Sequence, residues 1–204
     1  VASVARVHDA GVCEALRAEA AAGAEPVFVS ADIRDQGEIE KMFDTAEQAF
    51  GTVTVLFNNA GVSEKRRAGE ISRDSWRDIM SVNMDGQFFA AQAAAQRMKA
   101  AKCGGSIINT ASILAQGAMR GTAAYSISKA AVVQMTRSLA LEWAAHQIRV
   151  NAIAPGWFPT RMNAEFLGGL GGDFIRSQNP MKRLGEAGDL DGAALLLASD
   201  ASRY

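Results

Sequence analysis

The chain has 204 residues with 49% hydrophobic and 21% charged content and a formal net charge of −1. That length suffices for one substantial buried core, and the balance excludes a disordered chain. No basic block points to a nucleic acid and no long apolar run points to a membrane span, so neither is expected as a partner.

In chain order, Val1–Ala5 reads as a strand leading to a helix over Gly11–Ala22, and Val27–Ala31 as a strand leading to a helix over Gln36–Phe50. Val53–Phe57 is the next strand, followed by a long alanine-rich helical pattern over Arg73–Ala101. Strand Ser106–Thr110, helix Ala123–His146, strand Arg149–Ala154 and helix Glu186–Ala198 complete the series. Runs such as TVLFN and SIINT are almost wholly apolar, as strands of a parallel sheet covered on both faces should be. Strands alternating with helices through short joints predict an α/β fold, an open sheet with right-handed crossovers. No repeat, linker or low-complexity tract divides residues 1–204, so one domain is expected.

Cys13 and Cys103 lie far apart and belong to no CxxC motif, so no disulfide or metal framework is expected and a reducing cytoplasm suits them. His8 and His146 cannot by themselves form a multi-histidine metal site. Both ends read as though a longer chain continues beyond them.

In an open parallel sheet ligands bind outside the carboxyl ends of the strands. Asp32-Ile33-Arg34-Asp35 follows the second predicted strand, and Asn58-Asn59-Ala60-Gly61 the third. Ala111 and Ser112 follow the fourth, and Pro155-Gly156-Trp157-Phe158-Pro159-Thr160 the fifth. Any one of these sets would pass for turn and capping chemistry. Four in succession gather polar and small groups along one edge.

Beside them stands AYSISKA, residues 124–130, in a chain with only two tyrosines. Tyr125 and Lys129 are four residues apart and share one face of the predicted helix. A phenol of ordinary pKa near 10 is a poor base at neutral pH, whereas a close ammonium favours its ionised form. A shift of about three units needs roughly 4 kcal/mol, toward which a lysine in a dry cleft could contribute. Ser112, at the end of the neighbouring strand, is placed to bond a substrate oxygen.

Taken together, Asn58-Asn59-Ala60-Gly61, Asn83, Ser112, Tyr125-x-x-x-Lys129 and Pro155-Gly156-x-x-x-Thr160 resemble the short-chain dehydrogenase/reductase family in order and spacing. The resemblance implies a Rossmann-type doubly wound sheet with helices on both faces, binding NAD or NADP and exchanging hydride with a ketone or secondary alcohol. It implies Tyr125 as general acid/base, Ser112 orienting the substrate oxygen, Lys129 lowering the Tyr125 pKa and holding ribose hydroxyls, and Asn83 supporting a water relay. Asn59, Ala60 and Gly61 would line the cofactor, Asp32 and Ile33 would lie near the adenine, and Pro155, Gly156, Phe158 and Thr160 would frame the carboxamide. NAD or NADP preference would be set around Arg6 to Asp9, where Arg6 suits a 2′-phosphate and Asp9 a 2′-hydroxyl.

Two departures stand out: the family's glycine-rich turn with its first, central strand, and its last strand, are absent from these residues. The expectation is that the native protein contains them.

Residues 157–185 correspond to the family's variable substrate lid. Gly168, Gly169, Gly171 and Gly172 suggest mobility, Phe166, Leu167, Leu170, Phe174 and Met181 a moderately hydrophobic substrate. Arg161, Lys182 and Arg183 could meet an anionic substrate, although each also reads as simply solvated, as does the charge run Glu64-Lys65-Arg66-Arg67.

The resemblance suggests an enzyme akin to 3-oxoacyl-carrier-protein reductases or sugar-alcohol dehydrogenases. The alternatives are a non-catalytic dinucleotide-binding sensor, which would have no need of Ser112, Tyr125 and Lys129 together, or an epimerase or dehydratase using the same pair. The two longest predicted helices correspond to those that pair subunits in the family, so a homo-oligomer, a tetramer or dimer, is expected.

Overall fold

A computed structural model describes the backbone of Ala2–Ala5 and residues 25–204. The predicted helix over Gly11–Ala22 and the cofactor-discriminating positions around Arg6 to Asp9 lie outside the described residues. Strands β1 (Ala2–Ala5) and β2 (Val27–Ser30) pair in parallel. Helix α1 (Gln36–Phe50) follows, opened by Asp35, whose carboxylate accepts from the Glu38 amide at 2.9 Å and so satisfies one of the free N–H groups of the first turn.

Strands β3 (Val55–Asn58), β4 (Gly105–Thr110) and β5 (Ile148–Ile153) form a second parallel sheet in the order β3-β4-β5. Its centre is the driest part of the molecule: Ile107 and Ile108 of β4 are wholly buried, as expected of a strand covered on both faces. Among the described residues the outer edge of β3 pairs with no strand, and Val55 and Phe57 are exposed there. Among the described residues the predicted parallel α/β architecture is present in these two hydrogen-bonded groups of strands.

The long pattern over Arg73–Ala101 is helical throughout but not uniform. Helix α2 (Arg73–Met80) passes into a π-helical turn, Ser81–Gly86, and then into α3 (Gln87–Ala101). The wider turn re-aims Asn83, which is fully buried. One face of α3 is nearly all alanine, with Ala90, Ala91, Ala93, Ala94 and Ala95 buried, so that its backbone lies close to the strands beneath. Helix α4 (Ala123–Trp143) packs against β5 and continues through a single 3-10 turn, Ala144–His146.

Two short helices unforeseen in the sequence, α5 (Ala164–Leu167) and α6 (Leu170–Gln178), occupy the segment read as a lid. Their glycines allow close approach: a Cβ on Gly172 would stand 2.0 Å from the Leu167 carbonyl oxygen. Helix α7 (Asp191–Ala198) ends the series after a 3-10 turn over Ala187–Leu190.

Gly86 joins the π turn to the loop after β2. A Cβ there would lie 2.7 Å from the Ile33 side chain and 2.8 Å from its carbonyl oxygen. Gly86 has ordinary helical dihedrals, so alanine would otherwise be favoured by about 1 kcal/mol. The clash with backbone reverses that sign. Gly86→Ala should destabilise the fold by about 1–3 kcal/mol in urea unfolding, with Ile33 displaced.

Candidate active site

The carboxyl ends of β3 and β4 are locked together by buried amides. Asn58 and Asn109 are register partners, and the Asn58 amide donates to the Asn109 side-chain oxygen at 3.2 Å. Asn58 also donates to the Gln87 carbonyl at 2.7 Å, while the Gln87 amide donates to the Ala60 carbonyl at 2.7 Å. Asn109 in turn donates to Thr136 of α4 at 2.9 Å. A reciprocal clamp therefore fixes the loop after β3 against the start of α3. Gln87 and Asn109 were not among the predicted site residues; the signal was a polar amide within an otherwise apolar run.

Asn83 holds the next part of that loop. Its amide donates to the Val62 carbonyl at 2.9 Å and its side-chain oxygen accepts from the Val62 amide at 2.7 Å. It also donates to the Ser128 hydroxyl at 3.0 Å, and Ser128 donates to the Tyr125 carbonyl at 2.7 Å. Asn83 thereby couples the loop to the turn of α4 that carries Tyr125 and Lys129. Its side chain is sealed from solvent, so any influence on chemistry passes through these partners.

Ser112 ends β4 in an extended conformation, and its hydroxyl accepts from the Leu114 amide at 3.1 Å, closing a short 3-10 turn. The half-buried Tyr125 phenol faces the same small cavity as this hydroxyl. Burial raises the Tyr125 pKa, and the Ser112 hydroxyl works against that rise. The Lys129 ammonium donates to the Thr110 carbonyl at 2.6 Å and lies 5.9 Å from the centroid of the Tyr125 ring. At neutral pH Tyr125 is therefore a phenol, able to donate a proton.

The loop residues Asn59, Ala60 and Gly61, together with Asp32 and Ile33, line one cleft between the two sheets. A Cβ on Gly61 would stand 3.5 Å from the Lys129 ammonium and 3.4 Å from the Asn83 side-chain oxygen. The absence of a side chain keeps this end open above a buried cation, and the lining fits a nicotinamide dinucleotide. At the other end the Asp32 carboxylate accepts from Arg34 at 2.9 and 2.5 Å, so its charge is already paired within the protein.

Pro155 and Gly156 sit beside Ser112: the Pro155 carbonyl accepts from the Ile113 amide at 3.1 Å, and Gly156 lines a smaller cavity of about 140 Å³ with Ser112 and Tyr125. Phe158 and Thr160 line neither cavity. Asn163 secures both, donating to the Phe158 carbonyl at 2.9 Å and accepting from the Thr160 amide at 2.8 Å. Among the described residues no cluster of potential metal ligands occurs, and no helix is long and apolar enough to cross a membrane.

A family model described as enoyl-(acyl carrier protein) reductase matches residues 2–204. The chain belongs to the short-chain dehydrogenase/reductase family. It is 37% identical over 179 residues to the NADP-dependent (R)-specific alcohol dehydrogenase of Lentilactobacillus kefiri, covering 87% of this chain and 71% of that protein. It is 39% identical over 197 residues to the 2-dehydro-3-deoxy-D-gluconate 5-dehydrogenase of Escherichia coli K12, covering 94% and 76%. The crystal structure of a gluconate 5-dehydrogenase from Burkholderia cenocepacia, in complex with NADP and tartrate, superimposes with a TM-score of 0.86 at 32% identity, over 95% of this chain and 75% of that one. These likenesses establish the Rossmann-type sheet of the family.

Lys129 is 3% exposed, and burial lowers its pKa from 10.5 to about 8. A lysine whose folded pKa lies below its unfolded value opposes folding fully below pH 8, and that opposition is relieved as pH rises toward 10.5. The cost below pH 8 is about 3 kcal/mol. Lys129→Met should therefore be more stable than the parent at pH 7 and lose the stabilisation gained between pH 8 and pH 10. Urea midpoints at the two pH values measure both effects.

Proposed function

We propose that Ser112, Tyr125 and Lys129 interconvert a ketone and a secondary alcohol beside a bound nicotinamide dinucleotide. The chain is an NAD(P)-dependent oxidoreductase of the short-chain dehydrogenase/reductase family, acting on CH–OH groups. The observation that carries the assignment of roles is that the Tyr125 phenol and the Ser112 hydroxyl line one small cavity beside the large cleft. A sensor would need the cleft but not this pair.

The nicotinamide, when bound, supplies or accepts the hydride. Asn59, Ala60 and Gly61 leave room for it, Lys129 offers its remaining ammonium protons to ribose hydroxyls, and Asp32 with Ile33 borders the adenine end. Pro155 and Gly156 border the carboxamide; Phe158 and Thr160 shape that border indirectly through Asn163. Ser112 donates to the substrate oxygen and stabilises charge developing there. Tyr125 gives that oxygen its proton in reduction and takes it back in oxidation. Burial raises the Tyr125 pKa, so at neutral pH the group is a phenol ready to donate. Asn83 keeps the turn of α4 in register through Ser128.

Tyr125→Phe should lower carbonyl reduction by about a thousandfold while NADPH or NADH still binds, read by fluorescence of the reduced nicotinamide. Loss of cofactor binding together with activity would mean that Tyr125 acts structurally.

The same reading places the chain in the cytoplasm, as a homo-oligomer. The outward faces of α3 and α4 form a groove with Phe88, Phe89, Met135 and Trp143 along it, and Phe89 is exposed. Such a surface suits helix pairing between identical subunits. Light scattering at micromolar concentration should give a dimer or tetramer, and a one-subunit mass would count against the assignment.

A further inference from the structure

The cavity of about 140 Å³ that holds Ser112 and Tyr125 is small, equal to roughly five liquid waters. Its walls are largely apolar, with Met119, Trp157 and Phe166 among them. One cation lines it, Lys65, and none of the lining residues is acidic. The Lys65 ammonium lies 5.0 Å from the centroid of the Phe166 ring, which in turn stacks at a tilt on Trp157 with centroids 5.5 Å apart.

Two neighbours hold Lys65 in place without neutralising it. The Arg66 amide donates to the Gly121 carbonyl at 2.9 Å, pinning this loop to the one that leads into α4. The adjacent carboxylate, Glu64, is taken up by the Arg66 guanidinium and the Ser75 hydroxyl of α2, which together hold its pKa below the usual range. Among the described residues no carboxylate lies within salt-bridge distance of Lys65. Arg161, Lys182 and Arg183, the cations singled out in the sequence, do not line the cavity. Lys182 donates to the Ser177 carbonyl at 2.6 Å, and Arg183 is held by Asp189 at 2.5 and 2.9 Å.

An exposed ammonium with no carboxylate partner, on the wall of a largely apolar cavity whose polar residues are otherwise uncharged, gives that cavity a charge preference as well as a shape. We propose that Lys65 selects a small oxo- or hydroxy-carboxylate with a largely hydrocarbon skeleton, its carboxylate toward Lys65 and its reacting carbon at Ser112 and Tyr125. This substrate class rests on the oxidoreductase reading above. The face of Phe166 confines the ammonium through cation–π attraction, so less freedom is lost when the carboxylate arrives. The interaction forms equally in ground and transition states, and its loss should appear in KM and not in kcat.

The test uses 4-oxocyclohexanecarboxylate and its neutral, nearly isosteric carboxamide, with the parent, Lys65→Met and Lys65→Arg. Reduction is followed with NADPH and NADH, and binding by tryptophan fluorescence with and without cofactor. The parent should favour the carboxylate by about tenfold in kcat/KM. Lys65→Met should lose that preference through KM and leave the carboxamide unchanged, and Lys65→Arg should retain most of it. Equal handling of the two compounds by the parent, or equal losses for both in Lys65→Met, overturns the proposal while the oxidoreductase reading stands. Lys65-dependent carboxylate binding with no turnover of either compound supports the anion site but overturns its placement relative to Ser112 and Tyr125. Absence of both binding and turnover of the carboxylate overturns the proposal, while the oxidoreductase reading stands or falls on the Tyr125→Phe comparison.

Discussion

The amide clamp at the ends of β3 and β4 is the constraint on which the site depends. Asn58, Gln87 and Asn109 are buried polar groups whose loss of hydration is offset by partners: their amides donate to Gln87 and Ala60 carbonyls, to Asn109 and to Thr136, while the Gln87 side-chain oxygen is left without one. Hydrophobic packing could bring α3 near the sheet but could not set the loop after β3 to within a hydrogen-bond length. With that loop fixed, Asn83 can bridge Val62 to Ser128, and the turn of α4 bearing Tyr125 and Lys129 acquires its position relative to Ser112.

The same economy governs charge. Lys129 is kept almost dry with one carbonyl partner, Tyr125 is held protonated, and Asp32 is neutralised by Arg34. Each group near the cleft is thus poised by burial or by a single neighbour. Stability and function pull in opposite directions at Lys129: an apolar side chain would suit the folded chain better, while the cleft needs a cation at its floor.

Much of this was legible in the sequence. Alternating apolar runs and alanine-rich periods gave the strands and most helices, because burial on both faces of a parallel strand leaves an unmistakable run of Ile, Leu and Val. The rule that ligands gather at carboxyl ends of strands led to Ser112, Asn59–Gly61 and the Tyr125–Lys129 pair. What escaped has physical reasons. The π turn at Asn83 inserts a residue without changing composition, so Arg73–Ala101 read as one uniform helix. Helices α5 and α6 carry glycines chosen for close approach, which look like loop signals. Gln87 and Lys65 act through partners distant in sequence, Ala60 and Phe166, which no local pattern reveals. Asp32 was read for its carboxylate, but its capture by Arg34 needed three dimensions.

Among the described residues, Arg97 of α3 lies between three carboxylates of α1, Glu40, Asp44 and Glu47, while Ile39, Met42 and Phe43 share the apolar core of α3. The helix that follows the Asp32–Ile33 loop and the helix that begins at Gln87 are therefore packed directly on each other. A change in how α1 seats on α3 would reach both borders of the cleft at once, through dense apolar contact that transmits strain.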